Sequence, residues 1–299
     1  MSGLAIDSGV KLSDLEEDRA LPEALDTPGP TKKGRRWTWG DIVAPVIGFA
    51  AFIGLWYLMS YWALGHIWHK PQFLITPPHT VVHDSFLVSI PRTAMLKALY
   101  YTTIVALTGL GIAIVVGMLL AILMAQARPV ERAMWPYLVA MQAIPIIALV
   151  PIIGSIFGYG QAPRVFVCVI ISIFPIVSTT LFGLLSAERG QHDLFTLRGA
   201  SRWTRLTKLQ LPNALPSIFN GFRIAAGLSV IGAVVGELFF VRGEKGIGIL
   251  MEQYRSRNIY PLTYGCLVLA ALLGIAVFIL FGWISNLVVG RWHETTRKG

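Results

Sequence analysis

Apolar residues in this chain come in blocks about twenty long, and that clustering constrains the fold more than any single motif. A helix needs roughly 20 mostly apolar residues to cross about 30 Å of hydrocarbon. Five stretches satisfy this, at about 41–64, 99–125, 137–158, 162–187 and 262–290. A sixth, about 217–240, qualifies when Arg223 and Glu237 sit near its ends or face protein. Hydrocarbon offers no partners to backbone N–H and C=O groups, so such a chain crosses the bilayer as helices. Composition agrees, with 55% hydrophobic and 14% charged residues and a mean hydropathy of +0.63. The expected fold is an all-α integral membrane protein with six transmembrane helices.

Residues 1–38 differ in character. They hold seven acids and six bases around no apolar core, which rules out a cleavable signal peptide. Their Ser, Pro, Gly and acidic content predicts a disordered cytoplasmic tail. "KKGRRW", Lys32 to Trp37, then abuts the first transmembrane helix, 39–64. An inside N-terminus makes 126–136, 188–216 and the tail 291–299 cytoplasmic, and puts 65–93, 159–161 and 241–261 outside. Sixteen Lys and Arg then lie inside against seven at most outside, as the positive-inside rule requires. Arg242, Lys245, Arg255 and Arg257 in the last outer loop run against it. Both termini are thus expected in the cytoplasm, with a net charge of +9 that is mainly topological. Nucleic acid is a poor partner, because no basic cluster is interleaved with exposed aromatics.

The outer loop 65–93 contains Val81, Val82, Ser85, Phe86, Ser89 and Ile90 at helical spacing, which predicts an amphipathic helix at the outer interface. His66, His69, His79 and His83 lie on the same side; their spacing crosses two prolines and reads as interfacial rather than metal-binding. Cys168 and Cys266 fall inside spans and read as small buried hydrophobes.

The five-helix core, 94–290, carries prolines at 145, 151 and 175, each expected to kink its helix. Gly109, Gly111, Gly117 and Ala121 would allow close helix contact. Polar groups are expensive at membrane depth, so Gln142, Ser178, Thr179, Ser229 and Glu237 are the candidates for a translocation pathway, with Thr180 beside them. Ser and Thr also bond back to their own helices, a competing explanation for Ser178, Thr179, Thr180 and Ser229. No span carries a chain of carboxylates, which argues against ion coupling. No nucleophile elbow, metal cluster or phosphate loop appears; "RGEKGIGIL" at 242–250 has the wrong order for one. The chain is expected to bind no cofactor and to hydrolyse no nucleotide.

One polar interruption remains, 188–216, a basic and punctuated segment between two spans. "AERGQHDLFTLR" can form a short helix that Gly199 breaks. Ser201 can cap a second helix, "RWTRLTKLQL", in which Arg202 and Arg205 share a stripe with Leu209 while Trp203 and Leu206 lie beside it. Pro212 is expected to stop that helix and push Leu211 toward an extended conformation. Pro216 suits the first turn of the next span, and Arg223 would anchor the span's inner end through carbonyls, a partner subunit or snorkelling. Composition alone favours a helix on a lipid surface, whereas the tight punctuation by Gly199 and Leu211-Pro212 favours a defined plug that docks in a protein cleft.

The spacing Gly199, nine residues, Leu209, one residue, Leu211-Pro212 resembles the EAA loop of permeases in ATP-binding-cassette (ABC) importers. Asp193-Leu194-Phe195 stands where that family has Glu-Ala-Ala. "RGASRW" (198–203) and "LPNALPSIFNGFRIAAG" (211–227) are similar to the family's run into its next span. "MQAIPIIALVPIIGSIFGYG" (141–160) and "GELFFVRGEKGIGILM" (236–251) resemble the nitrate/sulfonate/taurine subfamily.

The resemblance covers roughly 75–290 and implies a type I ABC importer permease in a bacterial plasma membrane. It implies pairing with a second copy or a paralogue, two cytoplasmic ATPases that carry ATP and Mg, and an external substrate-binding protein. It also implies that Ala200 to Leu209 form the coupling helix, with Gly199 as hinge and Pro212 as stop. The solute would be small and polar or anionic: nitrate, sulfonates, taurine, bicarbonate or a vitamin precursor. Rival classes leave no trace in the sequence: a carrier's inverted halves, a channel's filter or charged ring, an enzyme's clustered catalytic groups.

Overall fold

The computed structural model describes residues 39–63, 66–67, 71 and 74–289; the two predicted tails, 1–38 and 291–299, and His69 lie outside the described residues. All regular elements among the described residues are helices. The chain divides into a unit ending at Phe52 and a unit beginning at Ile53. Helix α1 (Trp39–Leu58) carries Pro45 inside it and continues as a wider turn, Met59–Ala63. In the second unit its later residues hold the following segment: Trp56 Nε1 donates to the Thr76 carbonyl at 3.0 Å and Ser60 Oγ to Ile75 at 2.6 Å.

The predicted outer helix forms as α2 (Pro78–Val82) with a wider turn, His83–Leu87. Its inward face is narrower than the spacing suggested. Val81 and Ser85 are buried and Phe86 half-buried, whereas Val82 and Ile90 are exposed. Ser89 and Ile90 already belong to α3 (Ser89–Gln126), which starts ten residues before the apolar block. Ser85 Oγ donates to the Pro261 carbonyl at 3.1 Å, so this helix packs on protein.

The remaining helices are α4 (Arg128–Ala143), α5 (Ile146–Phe157), α6 (Gln161–Leu185), α7 (Arg189–Leu197), α8 (Arg202–Arg205), α9 (Leu211–Phe239), α10 (Ile247–Ser256) and α11 (Tyr260–Val289). Helix α6 is the central post, with α3 and α9 lying close on it. A methyl at Gly232 would come 2.9 Å from the Cys168 Cα, one at Gly236 3.0 Å from the Arg164 Cα, and one at Gly117 2.8 Å from Ile176; one at Gly109 would collide with Cys168. Such spacing is the small-residue packing of membrane helices. Gly111 is the exception to expectation, because it faces open space. Both cysteines are buried and unpaired.

Helices α4 and α5 meet at 101°. Pro145 forces the residue before it out of the helical region, and Ile144 sits at φ −73°, ψ 124°. The two pieces nonetheless make one crossing. Leu138 of α4 packs with Met124 and Leu181 at one end of the bundle, and Ile153 of α5 packs with Val167 and Phe240 toward the other. With α1, α3, α6, α9 and α11, six crossings result. Pro151 and Pro175 are carried within α5 and α6 without a break.

Candidate functional site

The segment between the fourth and fifth crossings is built by local rules. Helix α7 ends where Gly199 takes φ +64°, a conformation that side chains resist. Gly199 N–H donates to Thr196 at 2.9 Å and Ala200 N–H to Phe195 at 3.0 Å, which is a Schellman closure. Ser201 caps α8, its Oγ accepting the Thr204 N–H at 3.2 Å. Arg205 then reaches back over the glycine turn, and its guanidinium donates to Thr196 Oγ1 at 3.0 Å.

Past that point the structure departs from expectation. Pro212 does not stop the helix, and Leu211 is helical at φ −63°, ψ −48°. Residues Leu206–Gln210 form a wider turn in which the Leu211 N–H bonds five residues back, to Leu206. The extra residue per turn makes room for the proline ring, which would otherwise strike the carbonyl four residues before it. Helix therefore runs unbroken from Arg202 to Phe239, and Pro216 lies inside α9 rather than in its first turn. Arg223 also differs: its guanidinium stacks on Phe278, 4.0 Å from the ring centroid, a cation–π contact rather than a carbonyl anchor.

The segment is stitched to the bundle. Leu206 is buried with Leu184, Ala214 and Ile218. Gln126 Nε2 at the end of α3 donates to Gln210 Oε1 at 3.2 Å, and Asn213 Nδ2 donates to Ser186 Oγ, past α6, at 3.0 Å. Leu209, Leu211 and Ala200 are half-buried. The opposite face is open. Leu197 is 86% exposed, Trp203 71% and Leu194 55%, and Asp193, Arg198, Arg202 and Lys208 are exposed around them.

The five pathway candidates are scattered. Gln142 is exposed in the last turn of α4, beside the uncovered break Ala143–Pro145. Ser178 faces a groove of about 500 Å³ with Arg132, Trp135 and Phe182, and its hydroxyl donates to Pro175 at 3.3 Å. Thr179 bonds the same carbonyl at 2.7 Å and packs against Gly221. Ser229 is buried and bonds its own helix at Ala226, 2.9 Å away. Glu237 is fully buried near the far end of α9 and accepts bonds from Thr102 and Gly248. Thr102 and Arg164 were not singled out from sequence. Thr102 looks like any span hydroxyl, and Arg164 reads as a boundary charge until its partners are seen.

Five long apolar helices and one bent pair, with α3 and α9 packed by glycines on α6 and a capped helix after the Gly199 turn continuing into α9, define a membrane permease subunit. The chain belongs to the family of binding-protein-dependent transport system inner membrane components, whose model matches residues 113–294. It is 33% identical over 232 residues to the formylaminopyrimidine transport permease protein ThiX of Halalkalibacterium halodurans, covering 78% of this chain and 91% of that protein. It is 27% identical over 269 residues to the bicarbonate transport system permease protein CmpB of Synechococcus elongatus, covering 88% and 94%. Its fold matches a chain of the MetNI methionine ABC transporter in an inward-facing conformation, with a TM-score of 0.59 at 19% identity over 67% of this chain and 99% of that one. The protein is therefore a multi-pass permease of a bacterial plasma-membrane ABC importer, of the nitrate/sulfonate/bicarbonate kind. It works with a substrate-binding protein and with separate ATPases that hydrolyse the ATP.

Proposed function

We propose that this permease imports a small polar or anionic solute, and that Asp193, Gly199 to Leu209 and Leu211-Pro212 form the coupling segment seated in a cytoplasmic ATPase. The carrying observation is the open face of Leu194, Leu197 and Trp203. Large apolar side chains ringed by Arg198, Arg202 and Lys208 are poorly solvated on a free surface and well suited to a protein groove.

The same geometry supports a mechanism. Each of two ATPases draws its seated segment inward when ATP, held with Mg on the ATPase, brings them together. Because α8 continues into α9, that displacement enters the bundle as movement of a rod, not a loop. The switch it drives lies between two packings that differ in access. Two permease chains, identical or paralogous, would form the path. Broken backbone cannot face lipid at membrane depth, and residues 142–145 are uncovered by their own chain. A second chain and the water-filled path between the two would meet that requirement, with Gln142 lining the path and Ser178 nearer the coupling end. With the termini on the ATPase side, the outer loops face the binding protein.

Candidate solutes are those of the similar permeases, bicarbonate or a vitamin precursor of the formylaminopyrimidine type, together with nitrate, sulfonates and taurine. The test is purification in mild detergent followed by uptake into vesicles. An ATPase should accompany the chain, and uptake should need ATP. Uptake by the permease alone, or a coupling segment protected only by lipid, would overturn the reading.

A further inference from the structure

The segment that follows α9 is gripped from two sides. Glu237 Oε2 accepts the Gly248 N–H at 2.8 Å and the Thr102 hydroxyl at 3.0 Å. The Thr102 oxygen in turn accepts the Ile247 N–H at 2.8 Å. These N–H groups open α10, whose own cap residue, Gly246, has no side chain to offer. A carboxylate from α9 and a hydroxyl from α3 thus cap a helix that neither belongs to. On the other side Arg164 of α6, only 2% exposed, donates to the carbonyls of Phe240 at 2.7 Å, Arg242 at 2.6 Å and Glu244 at 2.7 Å. The fit is tight. A methyl on Gly246 would collide with the Glu237 carboxyl, and one on Gly248 would lie 2.5 Å from the Val234 carbonyl.

Simple adhesion would not need this chemistry. Ionisable groups are expensive in a membrane protein's interior, and apolar packing holds a loop more securely than an incompletely bonded carboxylate. Glu237 Oε1 is buried with no hydrogen-bond partner. What the clasp does is join α10 to a particular lever. The helix from Arg202 to Phe239 is 38 residues long, roughly 57 Å at 1.5 Å per residue. Trp203 stands at one end and Glu237 at the other. Helix α10 lies at the end of the bundle opposite the coupling segment, with Arg255, paired with Glu252, exposed on it and Arg257 exposed just past its end.

We infer that Thr102 and Glu237 are positioning residues that deliver the docking of the substrate-binding protein on α10, through the α8–α9 rod, to the coupling segment. This rests on the function proposed above. The rod is the shared part: one end answers the ATPase and the other answers the loaded binding protein. The clasp sets how faithfully the second signal reaches the first.

The test uses the full chain assembled with its ATPase in lipid vesicles, with ATP hydrolysis measured with and without solute-loaded binding protein. Thr102→Val should leave unstimulated hydrolysis within about twofold of the starting protein and cut the stimulated increment about tenfold, inside the usual range of coupling between sites. Thr102→Ser, which restores the hydroxyl, should recover the increment to within about threefold. Gly248→Ala spreads the same clasp without removing a polar group, and should lose the increment even where Thr102→Val fails to assemble. Full stimulation in the assembled variants would overturn the inference. So would a parallel fall in unstimulated and stimulated rates, or no recovery with serine. An unmodified complex that hydrolyses no ATP would instead overturn the coupling reading beneath it.

Discussion

Arg205 and Thr196, nine residues apart and on opposite sides of the Gly199 turn, are joined by a 3.0 Å hydrogen bond. The bond closes the hinge. Together with the Schellman closure it makes α7 and α8 one body, which is then bonded to α3 through Gln126–Gln210 and to the end of α6 through Ser186–Asn213. A segment fixed in this way can pass on force, where a loosely tethered loop would absorb it.

Gly199 is the residue on which that closure depends. At φ +64° a β-branched side chain is strained by about 1–3 kcal/mol, enough to unwind the turn. Gly199→Val should abolish solute-stimulated ATP hydrolysis while the permease still reaches the membrane. Gly199→Asn, whose side chain tolerates the left-handed region, should keep most of it. Paired hydrolysis and membrane-fraction assays of the two variants check this.

The open face should behave as a docking surface. Trp203 is 71% exposed, so Trp203→Ala should shift the stability of the isolated permease by no more than about 0.5 kcal/mol. Buried in a groove, the same side chain would be an anchor worth about 2 kcal/mol, roughly thirtyfold in affinity. Leu197→Asp should be more severe. Thermal melting of the permease and titration with the ATPase separate the two effects; equal affinity for the original and altered chains would remove these residues from the interface.

The contact between α6 and α9 is set by backbone proximity. A methyl at Gly232 would stand 2.9 Å from Cys168 Cα, an atom with no freedom to swing away. Gly232→Leu should therefore part the helices and destabilise the bundle by about 1–3 kcal/mol or more, seen as a lower melting temperature in detergent. Gly111→Leu, which meets open space, should not lower it comparably.

Gln142 and Pro145 test the proposed path. Gln142→Leu should reduce uptake several-fold while leaving ATPase association unchanged, because Gln142 lies far from the coupling segment along α4. Pro145→Leu removes the restriction on Ile144 and should favour a straighter crossing, with the same loss of uptake. Vesicle uptake of radiolabelled solute at fixed permease content measures both, and unaltered uptake would exclude the break from the path.

The sequence by itself determined the crossings, the Gly199 turn and the Ser201 cap, because each follows from a run of neighbouring residues: twenty apolar side chains, a glycine, a hydroxyl three residues before the N–H it accepts. It flagged Pro145 only as one of three equivalent prolines, and of these Pro145 alone interrupts its helix, by acting on the residue beside it. The fate of Pro212 was not legible, because whether a proline ends a helix depends on the turn before it, and burial of Leu206 among Leu184, Ala214 and Ile218 favours the wider turn that admits it. The burial and bonding of Glu237 were decided farther away still. Its partner Thr102 lies 135 positions earlier, and only packing α3 and α9 on α6 brings the two together. Local stereochemistry is written residue by residue; which polar groups share a buried site is settled by which helices touch.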